Sequence, residues 1–209
     1  EITWACQGTG DYILQLKVYR DCNGTSASAT QYITVWNHPT LDTIVLAQVS
    51  QTDVSPNCTV VAGSPGQLTC AGGGAGTVEE FVFQSAPIFI SGVPPAQGWA
   101  FAWDSYNRIT GVSNTNGTGA EGITLYSVMY PNGGSNTNPC YDASPQFPEL
   151  PPTPYYSGEA SEFNQNAYDP DLDSLAFAFA EPLDGMLSIA SFNPPTSPAA
   201  IPWAVGYST

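Results

Sequence analysis

The sequence predicts an all-β protein made of two antiparallel, Ig-like β-sandwich domains, the second incomplete. Three observations carry that prediction. Apolar and polar residues alternate over short stretches, the period of a strand with one buried face. The 20 Gly and 19 Pro interrupt the 209 residues every few positions and leave no room for long helices. Turn clusters recur at the spacing expected of a sheet of short strands.

Taken in order, Ile2–Cys6 and Asp11–Arg20 flank Gln7-Gly8-Thr9-Gly10, a hairpin signal. In the second of these, Tyr12, Leu14, Leu16, Val18 and Arg20 share one face, opposite Ile13, Gln15, Lys17 and Tyr19. Gln31–Asn37 and Thr43–Gln51 continue the alternation. Residues 53–76 read as loop, and the glycine run within them is no phosphate cradle, because neither a Lys nor a helix follows. Thr77–Gln84, Pro87–Ser91, Gly98–Asp104 and Gly122–Tyr130 bring the count to eight strands in a first domain, residues 1–137. The apolar pattern breaks between Pro131 and Tyr141, and residues 138–209 read as a second domain. Its strands are expected near Ser144–Phe147 and at Ala160–Ala167, Leu175–Glu181, Met186–Ala190 and Ile201–Tyr207. That is thin for a sandwich, which takes roughly 100 residues. Either the natural chain runs on, or a strand from elsewhere completes the sheet.

The charge balance narrows the partners. Formal net charge is -15, from 18 acidic residues against three Lys and Arg. Nucleic acid is excluded as a partner, since phosphate binding needs a basic face. Anionic lipid is equally disfavoured, and no apolar run is long enough to insert into a membrane. The sequence starts almost at once in strand-like residues, as a processed chain or an excised fragment would. Few Lys, abundant Thr, Tyr and Trp, and five Cys point to an extracellular location.

No two cysteines form a CxxC pair and His38 is the only histidine, so a zinc site is not expected. Cys58 and Cys70 flank a Gly, Ser and Pro-rich loop and are the first disulfide expected; Cys6 with Cys22 is the second. Cys140 is then left over.

The candidate site is the run Asp169-Pro170-Asp171-Leu172-Asp173. Alternate side chains of an extended or gently turning segment point the same way, so the three carboxylates converge and repel. A hard, oxygen-seeking ion such as Ca²⁺ would relieve that repulsion. The run is not an EF-hand loop, because Ser174 stands where Gly is needed and Ala180 where a bidentate Glu belongs. The competing reading is a solvated acidic turn.

Catalysis finds no support, and no catalytic residue is assigned. A lone His38 before Pro39 reads as structural, and there is no GxSxG elbow. Glu79 and Glu80 face opposite ways on a strand and make a poor glycosidase pair; one of them is expected inward against Arg20 or Arg108. Trp36, Trp99, Trp103, Tyr106 and Trp203 form either core or a sugar-stacking platform, with core the stronger expectation.

The stretches Glu1 to Cys6, Lys17-Val18-Tyr19-Arg20-Asp21-Cys22-Asn23-Gly24, Asn138 to Pro151 and Asn166 to Asp184 resemble large secreted surface proteins of Bacteroidota. Those are long, multidomain, adhesin-like chains exported by type IX secretion, some of them associated with gliding motility. The resemblance spans nearly all of the chain. It implies Ig-like or cadherin-like repeats, in which an Asp-Pro-Asp-x-Asp turn before a strand binds Ca²⁺, and so a ligand role for Asp169, Asp171 and Asp173. Two departures stand out: Ser105-Tyr106-Asn107-Arg108 and Tyr155-Tyr156-Ser157-Gly158 lack cysteines that the family pattern leads one to expect. Asp42-Thr43-Ile44 and Asp173-Ser174-Leu175 are similar to O-glycan acceptor triplets of the same bacteria, which makes Thr43 and Ser174 candidate glycan acceptors. The function expected is a structural or adhesive module at the bacterial cell surface, stiffened by Ca²⁺. Its partners would be other domains of the same chain, neighbouring subunits or surface glycans. The alternatives are a carbohydrate-binding module and, third, a secreted hydrolase or its accessory domain.

Overall fold

The structure is a computed structural model describing residues 1–8, 10–56, 68–72, 76–108, 112–117, 121–131, 142–150, 160, 162 and 164–207. The strands are β1 (Ile2–Cys6), β2 (Asp11–Asp21), β3 (Thr30–Trp36), β4 (Thr43–Asp53), β5 (Val78–Ser85), β6 (Ile88–Phe89), β7 (Trp99–Ser105) and β8 (Ile123–Met129). All eight lie where the alternation predicts strands. The element absent from that prediction is a short 3-10 turn at Cys70–Gly72.

Every pairing is antiparallel, and the strands run β1-β2-β5-β4-β3-β7-β8 in one sheet, with β6 extending β5 along the start of β2. β1 and β8, the two ends of that path, approach each other, so the sheet is nearly closed as a barrel. A register shift between Gln48 and Ser50 in β4 is the kind of bulge that sharpens twist and helps a sheet curl. The alternate residues Tyr12, Leu14 and Leu16 of β2, Ile33 and Val35 of β3, and Phe81 and Phe83 of β5 point inward. They join Trp4, Trp99, Phe101 and Met129 in one core. At the entry to β7, Gly98 has φ 77°, and a Cβ there would meet the Met129 carbonyl oxygen at 2.9 Å, so only glycine fits.

The gap between β1 and β8 is lined by segments from beyond residue 141. Ser144 donates its amide to the Trp4 carbonyl at 3.1 Å, and its hydroxyl accepts the Trp4 amide at 2.8 Å. Phe147 donates its amide to the Glu1 carboxylate at 3.0 Å. On the other side the Gly122 amide donates to Asp184 Oδ1 at 2.6 Å, and Arg108 donates to the Leu183 carbonyl at 2.8 Å.

Residues 142–207 otherwise depart from expectation. Leu175–Glu181, Met186–Ala190 and Ile201–Tyr207 form no ladder, and neither do the described residues of Ala160–Ala167. Isolated bridges such as Gln146 to Tyr168 and Leu183 to Ala200 take their place. The physical reason is the lack of a partner edge. Phe177 and Phe179 alternate as a strand would, yet they stand 65% and 92% exposed. Among the described residues here, only Leu183 and Ile201 are large apolar side chains that reach burial.

The expected disulfides also need correction. Cys22 is bonded to Cys70, with Cα atoms 5.2 Å apart, so neither Cys58–Cys70 nor Cys6–Cys22 forms. Sheet register explains it. Cys6 pairs with Tyr12 at one end of β2, while Cys22 follows the other end, about 33 Å away at strand rise. Asp21 instead sits opposite Val78, and the Cys22 amide donates to the Thr77 carbonyl, which brings Cys22 beside the turn that precedes β5. Cys6 is disulfide-bonded as well. Cys58 and the expected free thiol Cys140 lie outside the described residues, as does Tyr155-Tyr156-Ser157-Gly158.

Candidate functional site

The three aspartates lie where the 142–147 segment crosses β1. Asp169 is buried, and its Oδ1 accepts the Asp171 amide at 2.8 Å while its carbonyl accepts the Leu172 amide at 3.1 Å. The second bond closes a turn that puts Leu172 at φ 67° and leaves its side chain in solvent. Asp171 reaches across the seam, its Oδ2 accepting the Ala143 amide at 2.6 Å. Asp173 is exposed. Main-chain N–H groups therefore provide positive ends of dipoles to two of the three carboxylates, a source of relief that sequence spacing does not reveal.

The structure adds a fourth carboxylate, Asp142, whose Oδ2 accepts the Trp4 indole N–H at 3.3 Å. Burial pushes its carboxyl above the ordinary range; the Trp4 bond opposes this, and the charges of Asp171, Asp169 and Asp173 add to it. Tyr12 shares the same field. Its phenol is pushed up to about 12, first by burial and then by Asp142 and Asp171, and its buried hydroxyl has no hydrogen-bond partner among the described residues. Sequence reasoning missed both residues. Asp142 lies far from the Asp169 run along the chain, and Tyr12 looks like an ordinary core position.

All of these donors are oxygens, the chemistry a hard divalent cation takes. Their spacing is looser than a closed cage. Among the described residues, no three of the aspartates bring ligand oxygens within 4.8 Å of one another. The one group that meets this spacing is Cys22, Cys70 and Glu79, and its two sulfurs are already bonded to each other.

The raised Asp142 carboxyl gives stability a pH dependence with a definite sign. Below the ordinary carboxylate range both folded and unfolded states hold the proton, and no penalty arises. As pH rises toward the raised folded value, the unfolded chain loses its proton first, so stability falls across that window. Asp142→Asn keeps an acceptor for Trp4 and removes the charge. In chelator its melting temperature is expected to match the parent near about pH 3.5 and exceed it at about pH 7. Melts of the two proteins across pH check this; a parent that is the more stable at neutral pH would contradict it.

The remaining candidates fall elsewhere. Trp99 and Trp103 are core residues, Trp36 stacks on Phe192 at 5.9 Å, and the Tyr106 hydroxyl oxygen accepts the Leu187 amide at 2.9 Å. Trp203 is bridged through its main chain to Thr115, and no ring contact joins any two of these five aromatics. His38 holds a loop: its Nδ1 accepts the Leu41 amide at 2.9 Å and the Thr40 amide at 3.2 Å, and its ring packs on Trp99. Thr43 and Ser174 are both exposed. Glu79 lies inward and pairs with Arg20, as expected. Comparison of the chain with protein-family models, with curated proteins and with solved structures finds no match in any of the three.

Proposed function

We propose that this chain is an extracellular structural and adhesive module of a bacterial cell-surface adhesin or filament, stiffened by Ca²⁺ at the acidic seam. The observation that most supports it is the way residues 142–147 and 183–185 fasten to β1 and β8, and to the residues just before them, through main-chain amides that donate to carbonyl and side-chain oxygens. Such bonds pass tension from the barrel into whatever follows. In this reading residues 138–209 open a second Ig-like unit. The unpaired Leu175–Glu181 segment, with Phe177 and Phe179 in solvent, receives its partner strand from further domains of the same chain or a neighbouring subunit. The Cys22–Cys70 disulfide suits an oxidising, extracellular setting.

Ca²⁺ would be held by Asp142, Asp169, Asp171 and Asp173, with the unpartnered Tyr12 hydroxyl facing the same charges. Extracellular modules bind this ion with Kd of about 0.1–1 mM. Added CaCl₂ at about 5 mM is therefore expected to raise the melting temperature by several degrees over chelator, as linkage requires. Asp171→Asn with Asp173→Asn should erase the difference. Identical melts in Ca²⁺ and chelator would remove the calcium part of the proposal. The adhesive part is tested separately, by retention of protein-coated beads on cells under flow and its competition by free protein. Beads that detach as readily as uncoated ones would count against adhesion.

A further inference from the structure

The chain has three cationic side chains in all, Lys17, Arg20 and Arg108, and all three residues line one cavity of about 720 Å³. The cavity is the mouth of the barrel at the end where β2 finishes and β5, β3 and β8 begin. Its apolar part is formed by Val18, Phe81, Trp103, Ile123 and Leu125, inward residues of β2, β5, β7 and β8. Barrel mouths are a common place for small-molecule sites, and the volume falls within the usual range of about 300–1,000 Å³.

The cations are not equally engaged. Lys17 lies 3.4 Å from the Glu1 carboxylate, and Arg20 pairs with Glu79 while its buried Nε has no partner among the described residues. Arg108 donates through Nε to the Gly122 carbonyl at 2.7 Å and through Nη2 to the Leu183 carbonyl at 2.8 Å. Among the described residues no carboxylate lies within ion-pair distance of it. Its charge is thus oriented by neutral acceptors and left for another anion. The carboxylates that line the cavity have other partners: Glu1 takes Lys17, and Asp104 accepts the Met186 amide at 3.0 Å. On a protein of net charge -15 this mouth is the place where an approaching anion meets cations.

We propose that the barrel mouth binds a small amphipathic carboxylate. Its head group lies toward Arg108, and its apolar body lies over Val18, Phe81, Trp103 and Leu125. A neutral apolar molecule would bury Arg108 without compensating it, and a bare inorganic anion would leave the apolar wall in water.

The test is titration of the whole chain with 4-phenylbutyrate, followed by tryptophan fluorescence and calorimetry, with 4-phenylbutyramide and acetate as controls. Saturable one-to-one binding of 4-phenylbutyrate is expected, about tenfold or more tighter than either control and weakening as NaCl is raised. Arg108→Gln should cost about tenfold in affinity. Because that change also frees two carbonyls, Lys17→Gln at the rim serves as the second variant, with a loss of about threefold. Equal affinity for the acid and the amide would overturn the proposal. So would the absence of saturation at about 10 mM, or unchanged binding by both folded variants.

Discussion

Replacing both Cys22 and Cys70 by alanine is expected to cost about 4 kcal/mol of stability, the loop-closure value for a bond spanning 48 residues. For a chain of this size that corresponds to a fall in melting temperature of about 10 °C. The effect acts mainly on the unfolded chain. In the folded protein the same loop is already closed by the β4–β5 ladder, by the Cys22 amide on Thr77, and by the Cys70 amide on Asp53 at 2.7 Å. Those contacts survive the substitution, so the double variant should keep its strand content while melting early. The double variant is preferable to a reductant, which would also open the Cys6 disulfide. Circular dichroism melts of parent and variant check it. A shift under about 2 °C would mean that the unfolded chain is already constrained there.

Glu79→Ala is expected to cost about 3 kcal/mol, the range found when one partner of a buried ion pair is removed. Glu79 is 5% exposed and accepts from both the Arg20 guanidinium and the Gln51 side-chain amide. Arg20 also lies over the Phe81 ring, 5.4 Å from its centre, so it cannot leave for water without exposing part of the core. Without Glu79, the partly buried guanidinium loses its carboxylate acceptor, while the amide of the exposed Gln51 turns to water. The paired replacement Arg20→Met with Glu79→Leu should recover most of the loss, because a buried ion pair adds little over apolar residues of similar volume. Denaturant midpoints at unchanged m-value would measure both effects. If the double change cost as much as Glu79→Ala alone, desolvation would not be the cause.

Much of the barrel was legible along the chain. The alternation in β2 and β5 assigned Tyr12, Leu14, Leu16, Phe81 and Phe83 to the inside. With so few cations, it also named Arg20 as a candidate partner for an inward glutamate. One error was avoidable on the same information: the predicted β1–β2 hairpin puts Cys6 and Cys22 at opposite ends of a long strand, which already forbids their disulfide. The strands expected in residues 160–207 failed for a different reason. Period two identifies a segment able to pair, and pairing needs a second edge. At Leu175–Glu181 none is present among the described residues.

The candidate sites divide in the same way. The Asp169, Asp171 and Asp173 run is a local pattern, readable from spacing. Asp142 and Tyr12 join its field only because residues 142–147 lie against β1. Lys17, Arg20 and Arg108 meet at one cavity only because the sheet curls until β8 returns beside β1. By itself the sequence determined which residues alternate, and therefore which segments are able to pair and which face of each would be buried once paired. Strand order, closure, the Cys22–Cys70 bond and the meeting of distant charges were decided by the tertiary structure. A two-residue period records one buried face per strand, and it carries no record of which strand lies alongside.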